Sequence, residues 1–219
     1  MISSRLSYAE RAHYCLSPLA QRLLQLMDHK KTNLTLSADV TSAEELLTLA
    51  DQLGPEICIF KTHIDIIHDF TPDLTYQLSK LALKHHFLLF EDRKFADIGH
   101  TVKHQYEDGI YHIADWADIV NAHGLPGSGI VRSLADVGRK KNRSLLLIAE
   151  MSSAGHLMNE EYMQHTLKMA EQCADFVIGF ITQRALSADP HWINVTPGIK
   201  LETGGDMLGQ RYVTPEKAI

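Results

Sequence analysis

The 219-residue sequence predicts a parallel α/β barrel in one domain, and three observations carry that prediction. Short apolar runs alternate with helix-period stretches along most of the chain. The unit repeats roughly every 25–30 residues with little self-similarity, which suits barrel units rather than a solenoid. Polar and charged residues collect at the C-terminal ends of the apolar runs, where a βα barrel carries its chemistry. Strands separated by helices imply a parallel sheet covered by helices, and about 200–250 residues is an ordinary length for one such domain. An open doubly wound sheet also gathers ligand groups at strand ends. However, neither GxGxxG nor GxxxxGK[ST] follows the first run, so the barrel is preferred.

Taken in order, the segment before Asn33 is predicted as two short helices divided near Ser17 and Pro18. The apolar runs NLTLSADV (33–40), ICIFKTHID (57–65), FLLFED (87–92), ADIVNAHG (117–124), SLLLIAEM (144–151), FVIGFIT (176–182) and INVTPGI (193–199) are predicted strands, seven in all. Between them SAEELLTLADQLG (42–54) is the clearest helix, with Ser42 and Glu45 at capping-box spacing and Gly54 at the C-cap. Helices are also predicted over 72–86, 100–109, 129–140 and 159–173, whereas the sixth unit, after Thr182, has no comparable helix.

Charge and composition exclude several function classes. A net charge of −6 and a pI near 6.1 leave no basic surplus for a polymeric nucleic acid. Cys15, Cys58 and Cys173 are odd in number and widely spaced, which fits neither a metal knuckle nor a disulfide framework and suits a reduced, cytoplasmic compartment. The first residues lack a secretory apolar core, and no run reaches the roughly 18 apolar residues of a membrane span. Thirteen histidines invite a metal reading, but HxH and HExxH are both missing, so no metal site is expected.

The densest chemistry lies in FLLFEDRKFADIG (87–99), where five charges follow an apolar strand within seven residues. One reading is a charged turn, with Asp97 placed beside a helix start where a carboxylate suits the dipole. The other is an active site: alternate residues of a strand share a face, so Asp92 and Lys94 point the same way if the extended conformation persists past Glu91. Lys61, at the end of a buried run, needs a carboxylate neighbour. The strand ends also hold Asp39, His63, Asp65, Asn121, His123, Glu150 and Ser152. Ser152 has no nearby base and reads as a polar ligand contact rather than a nucleophile. The Gly-rich segment 196–212, ending in Gln210, Arg211 and Tyr212, is either a surface loop or a phosphate gripper of the kind that barrels place after strands seven and eight.

The stretches SADV, FKTHIDII, FLLFEDRKFADIGHTVKHQY, WADIVNAHG, LLLIAEMSS, DFVIGFITQR, TPGI and GGDMLGQRY, in this order, resemble the orotidine 5′-phosphate decarboxylase family, in the branch of the fungal enzymes and the C-terminal half of bifunctional UMP synthases. The resemblance runs from about Tyr8 to the end and implies a (β/α)8 barrel spanning 1–219. It further implies a homodimer with shared active sites that converts orotidine 5′-phosphate to UMP with neither metal nor organic cofactor. It gives Lys94 the role of general acid at C6, with Lys61, Asp92 and Asp97 completing the catalytic charge network. Asp97 and Thr101 would reach the neighbouring subunit's site. Asp39 and His63 would lie near the ribose, Ser152 near the pyrimidine and Pro197 in the substrate site, with Gln210 and Tyr212 on the phosphate. The family's eighth strand, whose arginine grips the phosphate, has no counterpart before Ile219, so the eighth βα unit is expected to be missing; Arg211 does not occupy that arginine's position. Two alternatives remain open at this point: a catalytically impaired nucleotide-binding dimer, and a barrel aldolase forming a Schiff base on Lys61 or Lys94.

Overall fold

The computed structural model describes residues 6–202, 204–205, 207 and 209–218; the remainder of the expected 1–219 span lies outside the described residues. Two helices open the chain, α1 (Tyr8–Ala12) and α2 (Pro18–Lys30), each started by a serine, Ser7 or Ser17, that accepts a backbone N–H of the first turn. Seven parallel strands follow in chain order: β1 (Thr35–Ser37), β2 (Ile59–Thr62), β3 (Leu88–Phe95), β4 (Ile119–His123), β5 (Ser144–Ile148), β6 (Val177–Ile181) and β7 (Ile193–Val195). All seven predicted strands are present. Most are shorter at their C-terminal ends than the apolar runs, because those ends turn out of the sheet into the loops that hold the polar residues.

The connecting helices are α3 (Ala43–Leu53), α4 (Pro72–His85), α5 (Gly99–Glu107), α6 (Ile113–Trp116), α7 (Ser128–Gly138) and α8 (Glu160–Glu171). Ser42 Oγ accepts the Glu45 N–H at 3.3 Å, as the capping-box spacing predicts. Gly54 does end α3, but in a right-handed conformation that runs on into a 3-10 turn. Its requirement is space: a Cβ there would stand 2.8 Å from that of His85. The one-turn helix α6 is not predicted by the sequence pattern, being too short to show a period. No α-helix fills the connection between β6 and β7.

The strands divide the interior in two. One apolar cluster fills the space between the sheet and helices α3 to α8, with Phe60, Leu89, Phe95, Tyr106, Leu134 and Phe180 among its buried members. The second lies on the other face, where Phe90, Ile119, Leu146, Ile148 and Ile178 meet Leu19, Leu23, Leu24 and Met27 of α2. Thus α2 closes one end of the curled sheet with an apolar floor. Because strand side chains alternate, Asp92 rises from the same face as Phe90 and stands above that floor.

Strand β3 differs from its prediction in a way that matters. It does not end at Asp92 but continues to Phe95, with an irregularity on the way: Glu91 pairs with Val120 and Phe95 with Ala122, so four steps along β3 oppose two along β4. The extra residues bulge out of the ladder, and Lys94 adopts a left-handed conformation with φ 50°. Beyond β7 the chain forms a small antiparallel pair, β8 (Gly204–Gly205) with β9 (Arg211–Tyr212), followed by α9 (Pro215–Ala218). Among the described residues, no helix is long and apolar enough to cross a membrane.

Candidate active site

Parallel strands present their C-terminal ends on one side, and the expected site residues gather there. Lys61 on β2 stands among three partners: its Nζ is hydrogen-bonded to His63 Nε2 at 2.9 Å and to Asp39 Oδ1 at 3.4 Å, and forms an ion pair with Asp92 Oδ2 at 3.2 Å. The bond to His63 makes Nε2 an acceptor and places that ring's proton on Nδ1. Burial, and then the Lys61 charge, push the His63 pKa down, consistent with a neutral imidazole. Asp92 is the centre of the group. Its Oδ2 faces Lys61, while its Oδ1 accepts from Lys94 Nζ at 2.7 Å and from Asn121 Nδ2 at 2.6 Å. Burial pushes the Asp92 carboxyl up, yet Lys61, Lys94 and the two hydrogen bonds outweigh it and hold the pKa at about 2.

Asp92 and Lys94 do meet, though not as alternate residues of a regular strand. The bulge folds Lys94 back, and its backbone N–H, which has lost its place in the ladder, donates to Asn121 Oδ1 at 2.7 Å. The two lysines are asymmetric: the Lys61 side chain is 12% exposed and the Lys94 side chain 35%. Lys94 is therefore the more accessible of the two ammonium groups, and Lys61 is the one enclosed among acceptors.

Other expected residues sit on neighbouring loops at the same end. Ser152, after β5, is buried and accepts from Gln210 Nε2 at 2.7 Å. The loop after β5 and the strand β9 segment are further joined by hydrogen bonds from Arg211 N to Ser152 O and from Ala154 N to Gly209 O. Gly198 lies beneath them with φ 80°, and a Cβ there would come within 2.7 Å of Gln210 Nε2. Pro197 O accepts from Gln183 Nε2 at 3.3 Å, and Lys200 Nζ lies 3.7 Å from the centre of the Tyr212 ring. The Gly-rich segment is thus tied to the β5 and β7 loops.

Asp97 and Thr101 stand apart. The Asp97 carboxylate accepts the Ile98 N–H at 2.8 Å, Thr101 is exposed on α5, and no ion pair joins Asp97 to Lys61 or Lys94 among the described residues. His123, at the end of β4, is half-buried; burial, and then Lys94, lower its pKa. Among the described residues, no group of three or more His, Cys, Asp or Glu side chains is arranged to hold a metal ion.

The model of the orotidine 5′-phosphate decarboxylase / HUMPS family matches residues 32–219. The chain belongs to that family. It is 51% identical over 221 residues to the orotidine 5′-phosphate decarboxylase of Phycomyces blakesleeanus, covering 100% of this chain and 83% of that protein. It is 54% identical over 202 residues to the uridine 5′-monophosphate synthase of Bos taurus, covering 92% of this chain but only 42% of the bovine protein's length. Among solved structures, an orotidine 5′-phosphate decarboxylase of Streptomyces avermitilis, named as putative, superposes with a TM-score of 0.62 at 18% identity, covering 84% of this chain and 78% of that one. That likeness supports the barrel fold.

Within this decarboxylase-family chain, sequence reasoning noticed Asn121 only as one of several polar strand ends and gave Glu91 no role. Both prove to be buried and bonded to site strands, Asn121 to β3 and Glu91 to β2. The signal available for Asn121 was an amide inside the apolar run IVNAH; for Glu91 it was a charge between Phe90 and Asp92 on the opposite face.

Proposed function

We propose that this chain removes CO₂ from orotidine 5′-phosphate to give UMP in pyrimidine biosynthesis, with Lys94 as the acid at C6. The observation that carries the reading is the Lys61–Asp92–Lys94 group, in which one carboxylate at about pKa 2 is held between two ammonium groups and the more exposed of these faces outward. When the C6–CO₂ bond breaks, its electron pair remains on C6 with poor delocalisation. An ammonium at that carbon stabilises the developing charge, and its proton then moves to C6 to form UMP. Asp92 keeps Lys94 aimed and charged, and Lys94 recovers its proton from solvent after each turnover.

The remaining roles follow from family membership and location. Asp39 and His63 serve the ribose, Ser152 the pyrimidine, Pro197 the wall of the site, and Gln210 with Tyr212 the phosphate. The hydrogen bond from Gln210 to Ser152 supports a loop that couples phosphate recognition to the base, so that remote binding energy helps to close the site. Asp97 and Thr101 serve the partner's site in a homodimer, which accords with their separation from the charge group. The seven-strand sheet is read as that of a (β/α)8 barrel forming one domain, and free Cys15, Cys58 and Cys173 accord with a cytoplasmic setting. Schiff-base chemistry is disfavoured because it needs a neutral amine, whereas both lysines are paired with Asp92.

The test is UMP formation from orotidine 5′-phosphate by the purified chain, beside its Lys94→Ala variant. Turnover by the first and a loss of at least 10²-fold in the second are expected, since a general acid alone contributes about 10²–10⁴-fold. Binding of a nucleotide analogue with no UMP formed would turn the reading into a nucleotide-binding protein.

A further inference from the structure

Asn121 is 1% exposed, and its amide is divided between two groups of the site. Its Oδ1 accepts the backbone N–H of Lys94 at 2.7 Å, and its Nδ2 donates to Asp92 Oδ1 at 2.6 Å. The chemistry of the two neighbours leaves little choice of side chain. A backbone N–H only donates and an ionised carboxylate only accepts, so the residue between them must present one acceptor and one donor on a short, planar, neutral group. The topology explains why such a group is needed. Four steps of β3 oppose two of β4 at this point, so the Lys94 N–H has no carbonyl in the ladder, and φ 50° is a left-handed conformation uncommon for residues with a side chain.

We propose that Asn121 is a positioning residue for the decarboxylation: one buried amide on β4 simultaneously orients the Asp92 carboxylate and holds the Lys94 backbone in the bulge that aims its ammonium at the substrate. The proposal rests on the reading of the chain as a decarboxylase. It separates two tasks within the site. Asp92 supplies the charge that pairs with Lys94, while Asn121 decides where both stand. A shift of about 1 Å in a reacting group costs on the order of 10²-fold in rate.

The experiment compares kcat and KM for UMP formation in wild type, Asn121→Ala and Asn121→Asp from pH 5 to 9, with thermal unfolding of each. Asn121→Ala is expected to lose about 10²-fold in kcat while KM stays within about threefold, as for an interaction that matters in the transition state. Asn121→Asp keeps the acceptor for Lys94 but sets a second carboxylate against Asp92. Two carboxylates this close hold together when they share a proton and repel when both ionise. The groups facing this pair are Lys61 from β2 and His63 just after it, Asp39 from the β1 loop, Lys94 from β3 and His123 from β4; β5 offers Leu146 and Ile148. The kcat of Asn121→Asp should therefore recover as the pH is lowered, a rise that neither wild type nor Asn121→Ala shows.

A kcat for Asn121→Ala within threefold of wild type, or a defect confined to KM, overturns the proposal. Should Asn121→Ala fail to fold, Asn121→Asp decides alone: a pH profile of wild-type shape overturns it, and recovery at low pH supports it. Absence of UMP formation by the wild type overturns the decarboxylase reading instead, and this inference with it.

Discussion

The carboxyl of Glu91 lies 2.7 Å from the hydroxyl of Thr62, and both side chains are fully buried on the helix-facing side of the sheet. The same carboxyl accepts the backbone N–H of Ile64 on both oxygens at 3.1 Å. Thr62 stands between Lys61 and His63, and Glu91 precedes Asp92, so this contact joins β2 to β3 directly behind the charge group.

Glu91 makes stability depend on pH. Burial raises its pKa to about 8, more than the Thr62 and Ile64 hydrogen bonds lower it. The folded state then holds a proton that the unfolded chain, with the ordinary value of 4.5, releases. The stabilisation is complete below pH 4.5 and is lost as the pH rises through about 8, with a slope of at most about 1.4 kcal/mol per pH unit. Urea denaturation from pH 5 to 9 should show this decline in wild type and a flatter profile in Glu91→Gln. Equal slopes would mean that Glu91 is ionised in the folded protein.

Asp92 behaves in the opposite sense. With its pKa held at about 2, the ion-pair contribution is present above the ordinary 3.8 and is lost only as the pH falls through about 2. Replacement by Asn leaves Lys61 and Lys94 without the charge that separates them. Asp92→Asn is expected to lower kcat by about 10²–10³-fold, the scale of a lost electrostatic contact in a preorganised site. A variant retaining more than about a tenth of wild-type kcat would remove Asp92 from the catalytic group.

Lys30 predicts a change in stability without a change in rate. At the end of α2, its Nζ is surrounded by the carbonyls of Ile57 at 2.5 Å, Gly54 at 2.8 Å, His85 at 3.0 Å and His86 at 3.3 Å, where the chain enters β2 and β3, so that its three N–H groups are shared among four acceptors. These joints lie at the strand starts, opposite the site. Lys30→Met keeps the apolar stem and deprives those carbonyls of their donor, at a cost of about 1–3 kcal/mol. The urea midpoint should fall while kcat stays within about twofold; a fall in kcat at unchanged stability would contradict this division.

Asp97 provides the test of the dimer. If it serves the partner's site while Lys94 serves its own, inactive Lys94→Ala and Asp97→Ala homodimers that exchange subunits form heterodimers with one doubly defective and one intact site. Random exchange makes about half the dimers mixed, so roughly a quarter of wild-type sites should reappear. If activity does not return although mass spectrometry shows mixed dimers, Asp97 is only a carboxylate capping the Ile98 N–H.

The sequence by itself determined the alternation of strands and helices, the side of the sheet that carries the chemistry, and the company of Lys61, Asp92 and Lys94. The first two depend on short-range spacing, namely the apolar period, the Ser42–Glu45 cap and charges placed where apolar runs end, whereas the grouping of Lys61 with Asp92 and Lys94 was implied by the family resemblance. The Gly54 position was also legible, although its reason was not, because only the folded chain brings His85 against it. Tertiary structure alone decided how Lys94 reaches Asp92. A regular strand would place them on one face, but the mismatch of β3 against β4 folds Lys94 into a left-handed turn that Asn121, 27 positions further along the chain, holds by its amide. The burial of Glu91 behind Thr62 and the carbonyls gathered by Lys30 are likewise set by the register of strands distant in sequence. Local pattern determines which face a residue belongs to. Which donor meets which acceptor is settled only when the strands pair, because a hydrogen bond tolerates errors of a few tenths of an ångström and a sequence period does not resolve them.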